Sequence, residues 1–160
     1  MIVVLMGVTG SGKSTIGQAL AAQLGWEYFD ADTFHSVENI EKMNKGVPLS
    51  DSDRRPWLQS LRETIREKLA KDESAVLACS ALRENYRQLL KINSLVRFVY
   101  LKGSYSLVKE RLSSRRDHYM NPALLDSQFQ TLEEPTDAFQ IDIGSSPNAI
   151  VEAIRTQFNI

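Results

Sequence analysis

A chain of 160 residues is one domain's length and long enough to bury a real core. Its 19 basic and 20 acidic residues nearly cancel, so no overall field recruits nucleic acid or a membrane surface. Cys79 is the only cysteine, which excludes an intrachain disulfide and fits a reducing, cytoplasmic setting.

Residues 2–6, Ile-Val-Val-Leu-Met, read as a strand buried on both faces. Because the N-terminus opens directly into strand and loop, no signal peptide is expected, and no apolar run approaches the ~20 residues that span a bilayer. Gly7-Val8-Thr9-Gly10-Ser11-Gly12-Lys13-Ser14-Thr15 follows and carries G-x-x-x-x-G-K-[ST], the phosphate-binding P-loop. Its glycines let backbone N–H groups converge on phosphate oxygens at the start of a helix, where the macrodipole also favours an anion. Lys13 would add a mobile positive charge at the β and γ phosphates, and Ser14 a hydroxyl ligand for Mg²⁺. A glycine-rich turn with a chance Lys-Ser is the bland alternative. It loses because strand, loop and amphipathic helix (Ile16, Ala19, Leu20, Leu24) arrive in the demanded order.

Residues 27–30 form a short strand, and 37–45 a helix stopped by Gly46-Val47-Pro48. Asp51 or Ser52 is expected to cap the next helix, with Pro56 in its first turn and Trp57, Leu61, Ile65 and Leu69 on its buried face. An apolar strand at 75–79 precedes a helix through Tyr86, Leu89 and Leu90, then a strand at 95–101 and a helix from Ser104 to about Arg111. Residues 112–122 turn polar and basic, the look of a mobile active-site segment. An amphipathic helix at 124–132, a last strand at 139–143 and a closing helix marked by Ile150, Ile154 and Phe158 complete the chain. Strands alternating with helices predict a parallel sheet covered on both faces.

In such sheets ligands bind beyond the carboxyl ends of the strands. After the first strand comes the P-loop; after the second, Asp30, Asp32 and His35; after the third, Ser80 and Arg83; after the fourth, Lys102 and Gly103. Two carboxylates beside a nucleotide suggest a division of labour: Asp30 holding Mg²⁺ through water, Asp32 accepting the proton of an attacking hydroxyl. Both also suit a turn before a helix. Taken alone, His35 reads as a solvated imidazole, Arg54 and Arg55 as surface charges, and Arg83 as an exposed helix residue. Arg111, Arg115 and Arg116 crowd guanidinium groups that repel unless an anion collects them. Cys79-Ser80 lacks the aspartate that many P-loop ATPases place there, and Asn44-Lys45-Gly46-Val47 lacks the aspartate of a guanine-reading element. A small-molecule kinase is favoured.

Several stretches then resemble the gluconokinases: Phe29-Asp30-Ala31-Asp32-x-Phe34-His35, Asn39-Ile40-x-Lys42-Met43, Gly46-x-Pro48-Leu49 and Asp53-Arg54-x-Pro56-Trp57-Leu58. The likeness continues through Cys79-Ser80-Ala81-Leu82, Tyr86-Arg87, Leu101-Lys102-Gly103, Arg111-Leu112-x-x-Arg115, His118-Tyr119-Met120 and Ser127-Gln128-Phe129-x-Thr131-Leu132-Glu133. The resemblance implies ATP-dependent, Mg²⁺-requiring phosphorylation of D-gluconate at its 6-hydroxyl. It also implies a three-layer α/β/α P-loop fold related to shikimate and nucleoside-monophosphate kinases, with a five-stranded parallel sheet. A helical substrate-binding segment at about 33–60 and a lid at about 112–122 go with that fold.

By the same resemblance, Lys13, Asp32 and Arg115 are the catalytic set. Residues 7–15 and Arg111 bind nucleotide, and Ser14 and Asp30 hold the metal. Asp32, His35, Lys42, Arg54, Ser80, Arg83, His118 and Gln128 meet substrate. Which cation takes the gluconate carboxylate stays open among Arg54, Arg83, His35 and Lys42, although the planar fork of arginine suits it best. A homodimer is suggested by the resemblance alone. Ser36 stands where proline is expected, and Arg116-Asp117 where a glycine often precedes His118. The rivals are another small-molecule kinase on this fold and a nucleotide-dependent binding module without catalysis.

Overall fold

The computed structural model describes residues 1–114 and 122–160. Its centre is β1 (Ile2–Met6), fully buried because it has a strand on each side and helices on each face. Strand alternation sends Ile2, Val4 and Met6 into one core and Val3 and Leu5 into the other. The sheet runs β2 (Glu27–Asp30), β3 (Ala75–Ala78), β1, β4 (Val96–Lys102), β5 (Phe139–Asp142), and every pair is parallel. Ile2 lies between Ala75 and Val96, and Leu5 between Ala78 and Val99. The carboxyl ends of β1, β2 and β3 therefore finish level with one another, and the loops that follow share one crevice.

One face is covered by α3 (Asp51–Ala70) and α4 (Glu84–Leu90), through Trp57, Leu58, Leu61, Ile65, Tyr86 and Leu90. The other carries α1 (Lys13–Leu24), α5 (Tyr105–Ser113), α6 (Pro122–Thr131) and α7 (Pro147–Phe158). Their contributions include Ile16, Leu20, Val108, Leu125, Val151 and Ile154. The expected three-layer architecture and five-stranded parallel sheet are observed. The short α2 (Val37–Asn44) stands outside both cores and buries only Asn39.

One local expectation is corrected. Neither Asp51 nor Ser52 caps α3; Ser50 does, accepting from the Asp53 amide at 3.1 Å while the Asp53 carboxylate accepts from the Ser50 amide at 2.9 Å. That reciprocal box satisfies two orphan donors, which a cap at Asp51 or Ser52 would not. Pro56 then falls inside the helix rather than in its first turn. The carbonyl it strands belongs to Ser52, an exposed residue within reach of solvent, so the lost donor costs little there.

Candidate active site

The helix ends show where an anion belongs. Serines cap α2, α3, α5 and α7, each accepting from a backbone amide. By contrast α1 opens on Gly12, left-handed at φ 95°, with no side-chain cap. Its first turn presents the positive end of the helix dipole to the loop, where an anion is favoured. Lys13 folds back over the loop and donates from Nζ to the carbonyls of Gly7 (3.0 Å) and Val8 (2.9 Å).

The carboxylates expected beside the loop are there. Ser14 Oγ donates to Asp30 Oδ2 at 3.4 Å, and the Tyr28 hydroxyl reaches the same oxygen at 3.3 Å. The other oxygen of Asp30 accepts from the Asp32 amide at 3.0 Å, capping a 3₁₀ turn over Ala31–Phe34. Asp30 therefore does both jobs that its sequence position allowed, turn residue and neighbour of Ser14. A hydroxyl and a carboxylate oxygen so close are hard donors suited to Mg²⁺. Among the described residues no group of three or more His, Cys, Asp or Glu forms a complete cage. Such a donor set fits an ion that keeps waters and takes its remaining ligands from phosphates.

Asp32 is exposed and lines the cleft, yet its surroundings partly desolvate the carboxyl. That desolvation raises its pKa above the ordinary value of 3.8; the Asp30 charge adds to the rise, while Lys13 and His35 oppose it. His35 is not a solvated imidazole. It stacks on Trp57 with ring centroids 4.4 Å apart and planes 12° from parallel, and burial is the main cause of its lowered pKa. Trp57 is fixed in turn by an Nε1 bond of 2.7 Å to the fully buried Ala31 carbonyl.

Arg54 belongs to the same wall. Its guanidinium donates to the Tyr86 hydroxyl at 3.3 Å and lies over that ring, 5.8 Å from the centroid. The Tyr86 hydroxyl donates to Asp51, which Arg83 grips through both carboxylate oxygens at 3.0 and 3.2 Å. These groups surround a cleft of about 690 Å³, the size of a small-ligand site, above the ends of β1, β2 and β3.

The cleft is lined by Thr9, Gly10, Gly12, Lys13, Ser14 and Thr15, by both aspartates, and by His35, Arg54, Ser80 and Gln128. Lys42 and Arg83 do not line it: Lys42 pairs with Asp53 at 2.8 Å and Arg83 with Asp51. Arg111 points instead to the end of the sheet, donating to the Ile143 carbonyl at 2.6 Å. Arg115 and His118 lie outside the described residues, as does most of the expected lid. The sequence reading has Trp57 only on a buried helix face and gives Tyr86 no role, and so missed both as cleft walls. It also missed Arg87, buried under the loop after β3, where it donates to the carbonyls of Ala81 (3.0 Å) and Leu82 (3.1 Å). A charged residue on the apolar side of α4 was the available signal.

Comparison with known proteins places this geometry. A family model described as shikimate kinase matches residues 9–152. A probable gluconokinase of Dictyostelium discoideum is 46% identical, covering 96% of this chain and 84% of its own. Among solved structures, a sugar kinase from Janibacter sp. HTCC2649 superposes with a TM-score of 0.92 at 41% identity, covering 99% of this chain and 94% of that one. A gluconokinase from Sinorhizobium meliloti 1021 does so with a TM-score of 0.83 at 40% identity, covering 94% and 86%. The resemblance read from the motifs thus holds over almost the whole chain, and the chain belongs to the gluconokinases, within the shikimate-kinase family of P-loop phosphotransferases.

Proposed function

We propose that the protein transfers the γ-phosphoryl group of ATP to the 6-hydroxyl of D-gluconate, giving 6-phospho-D-gluconate and ADP. The observation that carries this reading is one cleft lined both by a lysine-bearing phosphate loop at a helix start and by the carboxylate of Asp32. The loop amides bind the phosphates, and Lys13 exchanges its two carbonyl partners for phosphate oxygens. Asp32 aims the hydroxyl and takes its proton as the new O–P bond forms and the bond to the ADP oxygen breaks. Mg²⁺, held by Ser14 and Asp30, would neutralise charge on the phosphate oxygens.

Of the four candidates for the acid end, Arg54 is the arginine that lines the cleft, and its fork matches a carboxylate. His35 lines the cleft as well, but its lowered pKa leaves it a neutral ring and a weaker partner for an anion. Lys42 and Arg83 would act from behind, through Asp53 and Asp51. Ser80 and Gln128 complete the lining, and Arg111, Arg115 and His118 enter this reading by resemblance alone. A homodimer and a cytoplasmic setting remain part of the proposal; among the described residues no helix is long and apolar enough to cross a membrane.

The test is kcat/KM with ATP for gluconate, shikimate and nucleoside monophosphates. Shikimate is included because the matching family description carries its name. Gluconate should exceed the others by orders of magnitude; a preference for either rival acceptor would overturn the substrate assignment.

A further inference from the structure

The stretch Ser127-Gln128-Phe129-x-Thr131-Leu132-Glu133 is longer than a sugar contact needs, and the fold shows what it joins. Within α6, Leu124, Ser127, Gln128 and Thr131 recur at helical spacing and face the cleft. On the core side Leu125 is buried, and Phe129 meets the Tyr105 ring edge-on at 5.4 Å. This helix and the residues just after it are tied to two different walls.

On the nucleotide side, Gln128 Oε1 accepts from the Thr9 amide at 2.6 Å, so a phosphate-loop donor is held by a side chain of α6. The next loop residue, Gly10, is backed by α5. A Cβ there would come within 2.9 Å of Leu112 and 3.1 Å of Val108. On the acceptor side, the Glu133 carboxylate accepts from the Glu84 amide at 2.6 Å, capping α4, which has no side-chain cap from its own N-cap residue. The Glu133 amide donates to the Leu82 carbonyl at 2.9 Å, the same carbonyl that Arg87 holds.

We propose that Gln128 is a positioning residue of the phosphate loop and that α6 carries the loop's state to the turn at 80–84. Filling the loop with triphosphate rearranges its amides. Through Gln128 the rearrangement reaches a helix whose core face is packed, so it moves as a unit and shifts Glu133 against Leu82 and Glu84. Nucleotide and acceptor then tighten each other's binding, reciprocally, as thermodynamic linkage requires. This inference rests on the functional reading above.

Calorimetric titration of the full chain with gluconate, with and without a nonhydrolysable ATP analogue, gives the coupling as a ratio of two dissociation constants. The wild-type protein should bind gluconate several-fold more tightly in the presence of the analogue. Gln128→Ala should bring that ratio down toward one, a several-fold loss within the worth of about one hydrogen bond, whatever it does to gluconate affinity without nucleotide. Gln128→Met, close in size but without the acceptor, should behave alike and guards against a folding defect in the alanine variant. Glu133→Ala should lower the ratio from the other end. A wild-type ratio of one, or an unchanged ratio in the Gln128 variants, overturns the inference. So does equal weakening with and without analogue, which would mark a direct sugar contact or a merely structural role. Wild-type protein that binds the analogue but never gluconate overturns the functional reading, and this inference falls with it.

Discussion

Replacing Asp32 by asparagine separates a residue kept for chemistry from one kept for stability. The substitution preserves size and one acceptor oxygen, but removes charge and basicity. A positioned general base contributes roughly 10²–10⁴ in rate, so kcat should fall by that factor, equivalent to about 3–5 kcal/mol of transition-state stabilisation. Gluconate KM should rise only several-fold, since the neutral amide still accepts a hydrogen bond of about half the strength.

Stability should move the other way. Burial and the Asp30 charge raise the Asp32 pKa above 3.8, so the folded state binds this proton more tightly than the unfolded chain does. Ionised Asp32 therefore destabilises the fold at neutral pH, and the penalty is relieved as pH falls through the raised pKa. Asp32→Asn removes the penalty, and its Tm at pH 7 should equal or exceed that of the wild type. The wild-type kcat/KM should decline with falling pH as Asp32 protonates, and the variant should lose that limb. Asp30→Asn is the control: if Asp30 acts through magnesium, raising Mg²⁺ should partly restore its rate and leave Asp32→Asn unmoved. Steady-state rates across pH and Mg²⁺, with thermal melts, decide the matter. Near-normal kcat, rescue of Asp32→Asn by metal, or a lower Tm would refute the assignment.

Lys13→Ala should cost roughly 10²–10³ in kcat with little change in Tm, because its ammonium, folded over the Gly7 and Val8 carbonyls, serves bound phosphate; an unfolding defect with normal turnover would make it structural. Trp57→Phe leaves the buried Ala31 carbonyl without its donor and should destabilise the protein by roughly 1–3 kcal/mol in chemical denaturation. A negligible loss would mean the carbonyl finds another partner. Gly10→Ala forces a side chain into a left-handed residue (φ 76°) and against Leu112, so KM for ATP should rise well beyond KM for gluconate; equal effects would contradict the loop's backing by α5.

The phosphate loop was legible because its chemistry is local: strand, glycines, Lys13 and Ser14 are contiguous, and the helix they open needs no partner to be recognised. Strands β1 and β3 were legible for the same reason, as apolar runs between helical periods. What stayed hidden depends on distant partners. Ser50, Asp51, Ser52 and Asp53 all offer capping oxygens, and only the reciprocal bonds between Ser50 and Asp53 choose among them. Lys42 and Arg83 looked as available as Arg54 until the fold set them outside the cleft lining against Asp53 and Asp51; Arg54 also nears Asp51, at 3.8 Å, yet lines the cleft. Trp57 falls at the spacing of a buried helix face, and Tyr86 in a helix whose packing partner the sequence does not name. They are core on one side, and the fold turns the other side to the cleft.

The central claim is tested most directly by the product. Incubating the protein with ATP, Mg²⁺ and D-gluconate and following phosphorus and proton NMR should show ADP and a single sugar-acid phosphate in equal amounts, with phosphorus coupled to the protons on carbon 6. Phosphate on another carbon, or inorganic phosphate released with gluconate untouched, would contradict the account.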